Sequence, residues 1–473
     1  MGVEVTAPDL LTAVGLPAGD VTEWGAAEPV VAAPGGVSRE TLAGDAEAAA
    51  RFFRCSDALV RGLPAKRDRE EREQAAAEVV LEAARAVRTR FLRSYGDLIY
   101  AELTDDYGKY VRLAELVYGA AERFPGLVPT REEIARERRL PLKEKDGLEI
   151  DQGIFFGQIL SRRLPGLHLV QAMLRPTAQA EELLPRFRAE GTLDLGPVRV
   201  ERVGKAGFVT LRNTRYLNAE DDSTVMPMEI AVDLVLLDPA IEVGVLRGEV
   251  VEHPKYAGRR VFNAGINLTH LSEGKISFVD FYLVRDFGFV NKFYRGLSGP
   301  EFWPDEPEVT IEKPWIAAVE AFAIGGGCQL LLTMDRVLAE RGAYFSLPAR
   351  KEGIVPGAAN LRLTRFVGDR LARQGIMYER GFPVDSPEGA LLCDEVVAPG
   401  EMDAAIASTV EGLTSSGVVS AAANRKALRV DQEPLDTFRR YMATYAVEQA
   451  RCHLSPALIR NLEQHWEARR RAR

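Results

Sequence analysis

Cysteine is scarce in these 473 residues. Cys55, Cys328, Cys393 and Cys452 lie far apart, and none stands in a Cys-x-x-Cys pair. That excludes a disulfide framework and a sequence-local cysteine zinc site, and fits reduced thiols in the cytoplasm. The five histidines, at 168, 253, 270, 453 and 465, make no His-Glu-x-x-His pair. His465 and Glu467 form a His-x-Glu step beside a basic tail and read as a surface pair, so no metal is expected. No apolar run approaches the ~18–20 residues of a membrane helix, and no membrane partner is expected. An excess of positive charge is missing too. Sixty Lys+Arg against 69 Asp+Glu leave a formal charge of −9 and a pI near 5.4, which argues against nucleic acid as a partner. The basic run at 469–473 reads as a solvated tail. Met1-Gly2-Val3-Glu4-Val5 has neither a basic nor an apolar leader region, so secretion is not expected. Its acidic, proline-bearing surroundings do not suit acylation of Gly2.

What is present suits a globular chain. It is 46% hydrophobic and 27% charged, and its length suggests two or three domains of about 150 residues. Pro34-Gly35-Gly36 marks a turn. From about 66 to 124 the texture is Glu, Arg and Ala, and Val80, Ala84, Val87, Phe91, Tyr95 and Leu98 recur at helical spacing. Pro125-Gly126 closes that block, and Thr130 with Glu133 forms a capping pattern for the next helix. Residues 1–195 therefore read as a helical domain with no motif that carries chemistry. After Gly196 the pattern changes: strands at 198–203, 208–211 and 242–248, with a helix at 223–237, make a β-α-β unit. Residues 314–321 form another buried strand, followed by Gly325-Gly326-Gly327 and a helix. Helical texture returns over 401–473.

Two glycine-bearing turns draw attention, Asn263-Ala264-Gly265-Ile266-Asn267-Leu268 and Ile324-Gly325-Gly326-Gly327-Cys328-Gln329. Glycines let backbone N–H groups approach a ligand, and a helix start adds partial positive charge. Two such donors from separate turns make an oxyanion hole for an enolate oxygen. Taken alone, such a turn is more often a site of close helix–strand packing. Neither is a P-loop or a dinucleotide fingerprint, and Gly296-Leu297-Ser298-Gly299 has the wrong spacing for a nucleophile elbow.

Taken in order, these turns with Lys313-Pro314-Trp315, Asp335, Phe345-Ser346-Leu347-Pro348 and Gly353-Ile354-Val355-Pro356-Gly357 resemble the enoyl-CoA hydratase/isomerase (crotonase) superfamily over about 196–400. The resemblance implies an α/β fold: a crotonase-like ββα spiral core that binds acyl-CoA (196–400), a helical N-terminal domain (1–195) and a helical C-terminal oligomerisation segment (401–473). It implies a thioester oxygen held by the N–H groups of Ile266 and Gly326. Two departures stand out. Gln329 and Ala349 occupy the positions of the two hydratase glutamates, and an amide and a methyl cannot add water across a double bond. Glu352 is a possible substitute, but reads as a solvated loop charge.

The helical N-terminal region, the inserted segment 251–258 and Gln329 resemble a branch of that superfamily whose members are dioxygenases without metal, flavin or haem. This implies O2 as co-substrate and 3,5-dihydroxyphenylacetyl-CoA as substrate, giving the arylglyoxylate and CoA on the way to dihydroxyphenylglycine. Glu220 would accept a ring hydroxyl or take the Cα proton; otherwise it is one charge in the acidic run with Asp221 and Asp222. Arg285 would orient the ring, or simply pair with Asp286. Gln329 would hydrogen-bond the substrate or the peroxide, or cap its helix. For CoA and substrate the resemblance points to His253, Pro254, Lys255 and Tyr256, with Arg259 and Arg260 nearby. It adds Ala264, Gly265, Asn267, Leu268, Gly325, Gly327, Ile354, Pro356 and Gly357, and Gln449 or Arg451 from the C-terminal helices. Trimers or hexamers are expected.

Overall fold

The computed structural model describes residues 6–304, 309–415 and 418–467. The basic tail and the side chains of His465 and Glu467 lie outside what it describes. Two compact units result. The first comprises residues 1–169, 272–278 and 442–456, the second 170–271, 279–441 and 457–473.

The first unit is helical, as its periodicity requires. The longest helix, Glu71–Leu103, buries Val80, Ala84, Val87, Phe91 and Tyr95 on one face. That face drifts at the end, because a 3.5-residue spacing slips against a 3.6-residue turn. Leu98 is only half-buried, and Ile99 and Tyr100 enter the core instead. The Thr130–Glu133 capping box forms: Thr130 Oγ1 accepts from Glu133 N at 3.2 Å, and Thr130 N donates to Glu133 Oε2 at 2.9 Å. Helix Glu149–Ser161 lies directly against residues 442–453, the later part of helix Leu435–His453. An ideal Cβ on Gly153 would fall 2.5 Å from Ala450 Cβ and 2.8 Å from Ala446 O.

Among the described residues, the second unit holds twelve short strands. They are β1 (Thr192–Asp194), β2 (Val198–Val203), β3 (Ala206–Leu211), β4 (Val243–Gly248), β5 (Leu297–Ser298), β6 (Thr310–Ile311), β7 (Trp315–Val319), β8 (Phe322–Ile324), β9 (Arg336–Glu340), β10 (Tyr344–Ser346), β11 (Phe382–Pro383) and β12 (Glu395–Val397). Seven of them form one sheet in the order β1-β2-β3-β4-β7-β9-β12, antiparallel through β3 and parallel beyond it. Parallel pairing needs crossovers, and helix Asp222–Leu237 supplies the one between β3 and β4. Strand β7 is buried at all five positions, the continuous apolar run of a strand covered on both faces. Met402 and Ile406 of helix Met402–Thr414 pack on Val245, Ile316 and Leu338.

The second sheet, β11-β10-β8, decides where chemistry can occur. Strands β7 and β8 are followed by helix Gly326–Leu331, and β9 and β10 by helix Ala349–Glu352. This two-strand-and-helix repeat is the pattern that the crotonase resemblance implies. A parallel bridge from Asn263 to Ala323 brings the first glycine turn beside β8.

In an ordinary helix Gly→Ala gains about 1 kcal/mol. At Gly153 the sign should reverse, because the added methyl meets backbone and a neighbouring Cβ. Gly153→Ala is expected to lose about 1–3 kcal/mol by overpacking, read as a lower urea midpoint with unchanged slope.

Candidate active site

The two glycine turns meet. Gly265 has φ +81° and Gly325 φ +52°, conformations that side chains with a Cβ rarely adopt. An ideal Cβ on Gly265 would lie 2.9 Å from Ile324 O and 3.3 Å from Gly326 N, so the two backbones are in contact. Ile266 forms a parallel bridge with Glu220: Glu220 N donates to Gly265 O at 2.7 Å and Asn267 N to Glu220 O at 2.8 Å. In that pattern the N–H of the central residue points away from the partner strand. Gly326 is the first residue of its helix, where an N–H has no intrahelical acceptor. Two backbone donors thus sit on adjoining turns, the arrangement an oxyanion hole needs.

Behind Gly326 lies a buried polar network centred on Arg285, which sits on helix Val284–Phe287. Its Nε donates to Glu220 Oε2 at 2.7 Å and its Nη2 to Glu220 Oε1 at 3.0 Å. Nη1 reaches Asp286 Oδ1 and Gln329 Oε1, both at 2.8 Å, and Nη2 also reaches Gly326 O at 3.0 Å. Asn263 Nδ2 adds a bond to Glu220 Oε1 at 2.9 Å, and Asn263 Oδ1 accepts from Gly265 N at 2.6 Å. Glu220, Arg285 and Gln329 are therefore brought together. Glu220 is paired through both oxygens, Arg285 bonds Asp286 and Glu220 alike, and Gln329 serves Arg285 as an acceptor. Asp221, beside Glu220, caps helix Asp222–Leu237 and accepts from Asn267 Nδ2 at 2.9 Å.

In front of the turns opens a cavity of about 620 Å³. Ile266, Ala264, Asn267, Leu268, His253 and Tyr256 line it, as do Phe322, Tyr344, Lys351, Glu352 and Trp466. Tyr256 and Tyr344 flank Phe322 with ring centroids 5.2 and 5.7 Å away, making an aromatic wall. Pro254 and Lys255 are exposed, with Lys255 Nζ 5.1 Å above the Tyr256 ring. Arg259 and Arg260 are engaged by Glu340 at 2.7 Å and Glu249 at 2.9 Å. Gly357 abuts the network: its ideal Cβ would fall 2.8 Å from Asp286 Oδ2 and 2.9 Å from Gln329 Oε1. Gly327 packs on Asn263, with 2.7 Å between its ideal Cβ and Asn263 Cβ. Pro356 is buried and Ile354 half-buried, and neither lines the cavity. Gln449 is fully buried in the first unit and is not among the residues that line this cavity.

Glu352 overturns the reading of a solvated charge. The residue is half-buried, but its Oε2 is shut off from solvent and has no hydrogen-bond partner. Burial pushes its carboxyl up to about 8, against the pull of Lys351. Sequence reasoning missed Asn263 as well. An Asn two residues before a glycine is an Asx-turn signal that was there to find. Burial raises the Cys328 thiol to about 12, so it is no nucleophile. Among the described residues, no group of three or more His, Cys, Asp or Glu side chains is arranged to hold a metal ion, and no helix is long and apolar enough to cross a membrane.

An enoyl-CoA hydratase/isomerase family model matches residues 307–450. A protein of Amycolatopsis orientalis named (3,5-dihydroxyphenyl)acetyl-CoA 1,2-dioxygenase is 50% identical over 406 residues, 86% of this chain and 92% of that one. A short-chain-enoyl-CoA hydratase of Clostridium acetobutylicum is 28% identical over 50% of this chain and 82% of its own. Among solved structures, an enoyl-CoA hydratase of Bacillus halodurans superposes with a TM-score of 0.46 at 20% identity, covering 57% of this chain and 99% of that one. The chain belongs to the enoyl-CoA hydratase/isomerase (crotonase) superfamily, in the family of the Amycolatopsis dioxygenase.

Replacing Arg285 by Met would strand two buried carboxylates. The expected loss is about 3–5 kcal/mol in denaturant unfolding. In the double variant with Glu220→Gln the loss should be smaller than the sum of the single effects, since one stranded charge is gone.

Proposed function

We propose that this chain is a cofactor-independent dioxygenase that converts (3,5-dihydroxyphenyl)acetyl-CoA and O2 into 3,5-dihydroxyphenylglyoxylate and CoA, feeding dihydroxyphenylglycine formation. The observation that carries the reading is the 50% identity to the Amycolatopsis dioxygenase across 86% of the chain. The adjoining donors of Ile266 and Gly326 support it physically. The Cα–H of an arylacetyl thioester is acidified by thioester and ring together, and each well-placed donor lowers the enolate by about 3–4 kcal/mol. The electron-rich enolate passes an electron to O2, and recombination gives a Cα peroxide. The peroxide attacks the thioester carbonyl, CoA leaves, and O–O cleavage gives the keto acid. Overall, thioester plus O2 yields arylglyoxylate, CoA thiol and one proton.

Hydration fits less well. Gln329 is an amide already accepting from Arg285, and Ala349 is a buried methyl. In this reading Arg285 and its partners fix Gly326 and the ring-binding side of the site, while His253, Lys255 and Tyr256 meet CoA. Trimers or hexamers form through the C-terminal helices, a reading supported by exposed Val419, Leu428 and Val430 on helix Val418–Gln432. Four free cysteines suit a cytoplasmic setting.

The test is turnover of (3,5-dihydroxyphenyl)acetyl-CoA by chelator-treated protein in an oxygen electrode, with thiol and keto acid followed together. One O2 consumed per CoA released is expected. Thiol release without oxygen uptake would make the chain a hydrolase.

A further inference from the structure

We propose that the Glu352 carboxylate is the base that takes the Cα proton of the acyl group, a role that rests on the dioxygenase reading above. The placement is specific. An ideal Cβ on Gly325 would stand 3.6 Å from Glu352 Oε2 and 3.6 Å from Gly265 Cα. That oxygen therefore sits at the contact between the two turns that carry the Ile266 and Gly326 donors. A thioester whose carbonyl oxygen rests on those donors has its Cα one bond from the carbonyl carbon, beside this carboxylate.

The other nearby carboxylates are occupied. Both Glu220 oxygens accept from Arg285, Asp286 accepts from the same guanidinium, and Asp221 accepts from Ser223 and Asn267. Glu352 Oε2 is enclosed and without a hydrogen-bond partner among the described residues. A buried acceptor left open costs stability, and such costs gather where chemistry needs them. The surrounding charges are modest. Lys351 lowers the carboxyl's pKa and Glu379 raises it, although Glu379 is itself paired with Arg350 at 3.0 Å. The cavity wall adds Arg215, His253, Tyr256 and Tyr344. On the neighbouring helix Pro456–Asn461, which also carries Arg460, Asn461 Nδ2 bonds Lys351 O at 3.1 Å. Burial dominates, and a value of about 8 lies near working pH, where a general base is most effective.

The step balances. The Cα–H bond breaks, its electron pair stays on the substrate as the enolate, and the proton goes to Glu352. O2, the co-substrate, then takes the electrons. When the peroxide expels CoA, the proton passes from Glu352 to the thiolate sulfur and the carboxylate is restored. The second Cα proton leaves to solvent as the keto acid forms.

The experiment measures oxygen-coupled CoA release by the full chain, wild type against Glu352→Gln and Glu352→Asp, from pH 6 to 9.5. In the wild type kcat/KM should rise with pH and level off above about 8. Glu352→Gln should lose kcat by roughly 10²–10⁴-fold and lose that inflection, with KM within about threefold. Glu352→Asp should recover part of kcat and show the inflection displaced. A folded state that holds this carboxyl neutral is stabilised below the unfolded value of 4.5, and that stability is lost as pH rises through about 8. The Tm of Glu352→Gln should therefore gain on wild type between those limits. An active wild type with Glu352→Gln within threefold in kcat would overturn the proposal alone. If Glu352→Gln does not fold, an aspartate variant with wild-type kcat and an unmoved profile would overturn it. A wild type without oxygen uptake would remove the dioxygenase reading, and this role with it.

Discussion

One guanidinium fixes the geometry on which the site depends. All five N–H groups of Arg285 find acceptors: two on Glu220, one each on Asp286 and Gln329, and one on the carbonyl of Gly326. These partners come from the loop between β3 and helix Asp222–Leu237, from the arginine's own helix, and from the helix after β8. Through Asn263, which donates to Glu220 and accepts from Gly265 N, the network also holds the first glycine turn. The two backbone donors are thus located relative to each other by a single cation. Burying an arginine between two carboxylates is costly, and the cost is offset only when geometry leaves no donor unmet. Here none is.

The arrangement also separates two kinds of carboxylate within a few residues of the same turns. Glu220 and Asp286 both accept hydrogen bonds from Arg285. Glu352 lies on the cavity side, without a cation bonded to it, and burial favours its neutral form. Environments that push similar groups apart are how one fold assigns different tasks to one side-chain type. The backbone between them is glycine for a steric reason. At Gly326 an ideal Cβ would fall 2.7 Å from Glu220 Oε1 and 3.0 Å from Arg285 Nη2. No side chain fits between this network and the donor.

How much of this was written in the sequence depends on sequence distance. The helical region, the β-α-β unit and the glycine turns announce themselves locally, through periodicity, caps and turn chemistry. Arg285-Asp286 suggested an ion pair by adjacency, and the pair exists, but its more extensive partner, Glu220, lies 65 residues away. Glu352 was misread because Arg350-Lys351-Glu352 looks like a solvated run. What encloses it is remote: at Gly353 an ideal Cβ would lie 2.9 Å from Leu458 Cβ, from a helix a hundred positions later. Of the cations expected for phosphates, Arg259 and Arg260 are paired with Glu340 and Glu249, partners remote or unremarkable in sequence. Composition counts charges, but only tertiary structure says which are already paired.

The amide at 329 then follows from electrostatics rather than standing as an exception. In a hydratase that position carries a carboxylate. Here its Oε1 accepts from an arginine that already faces Glu220 and Asp286 at hydrogen-bond distance. A glutamate would place a third negative charge against one positive charge, out of water, where like charges cannot all remain ionised. Either the new acid would be neutral, or Arg285 would loosen its hold on Glu220 and with it the Gly326 turn. A glutamine keeps the acceptor and adds no charge. An amide, unsuited to adding water across a double bond, is thus also the residue type that lets the network hold both donors in place.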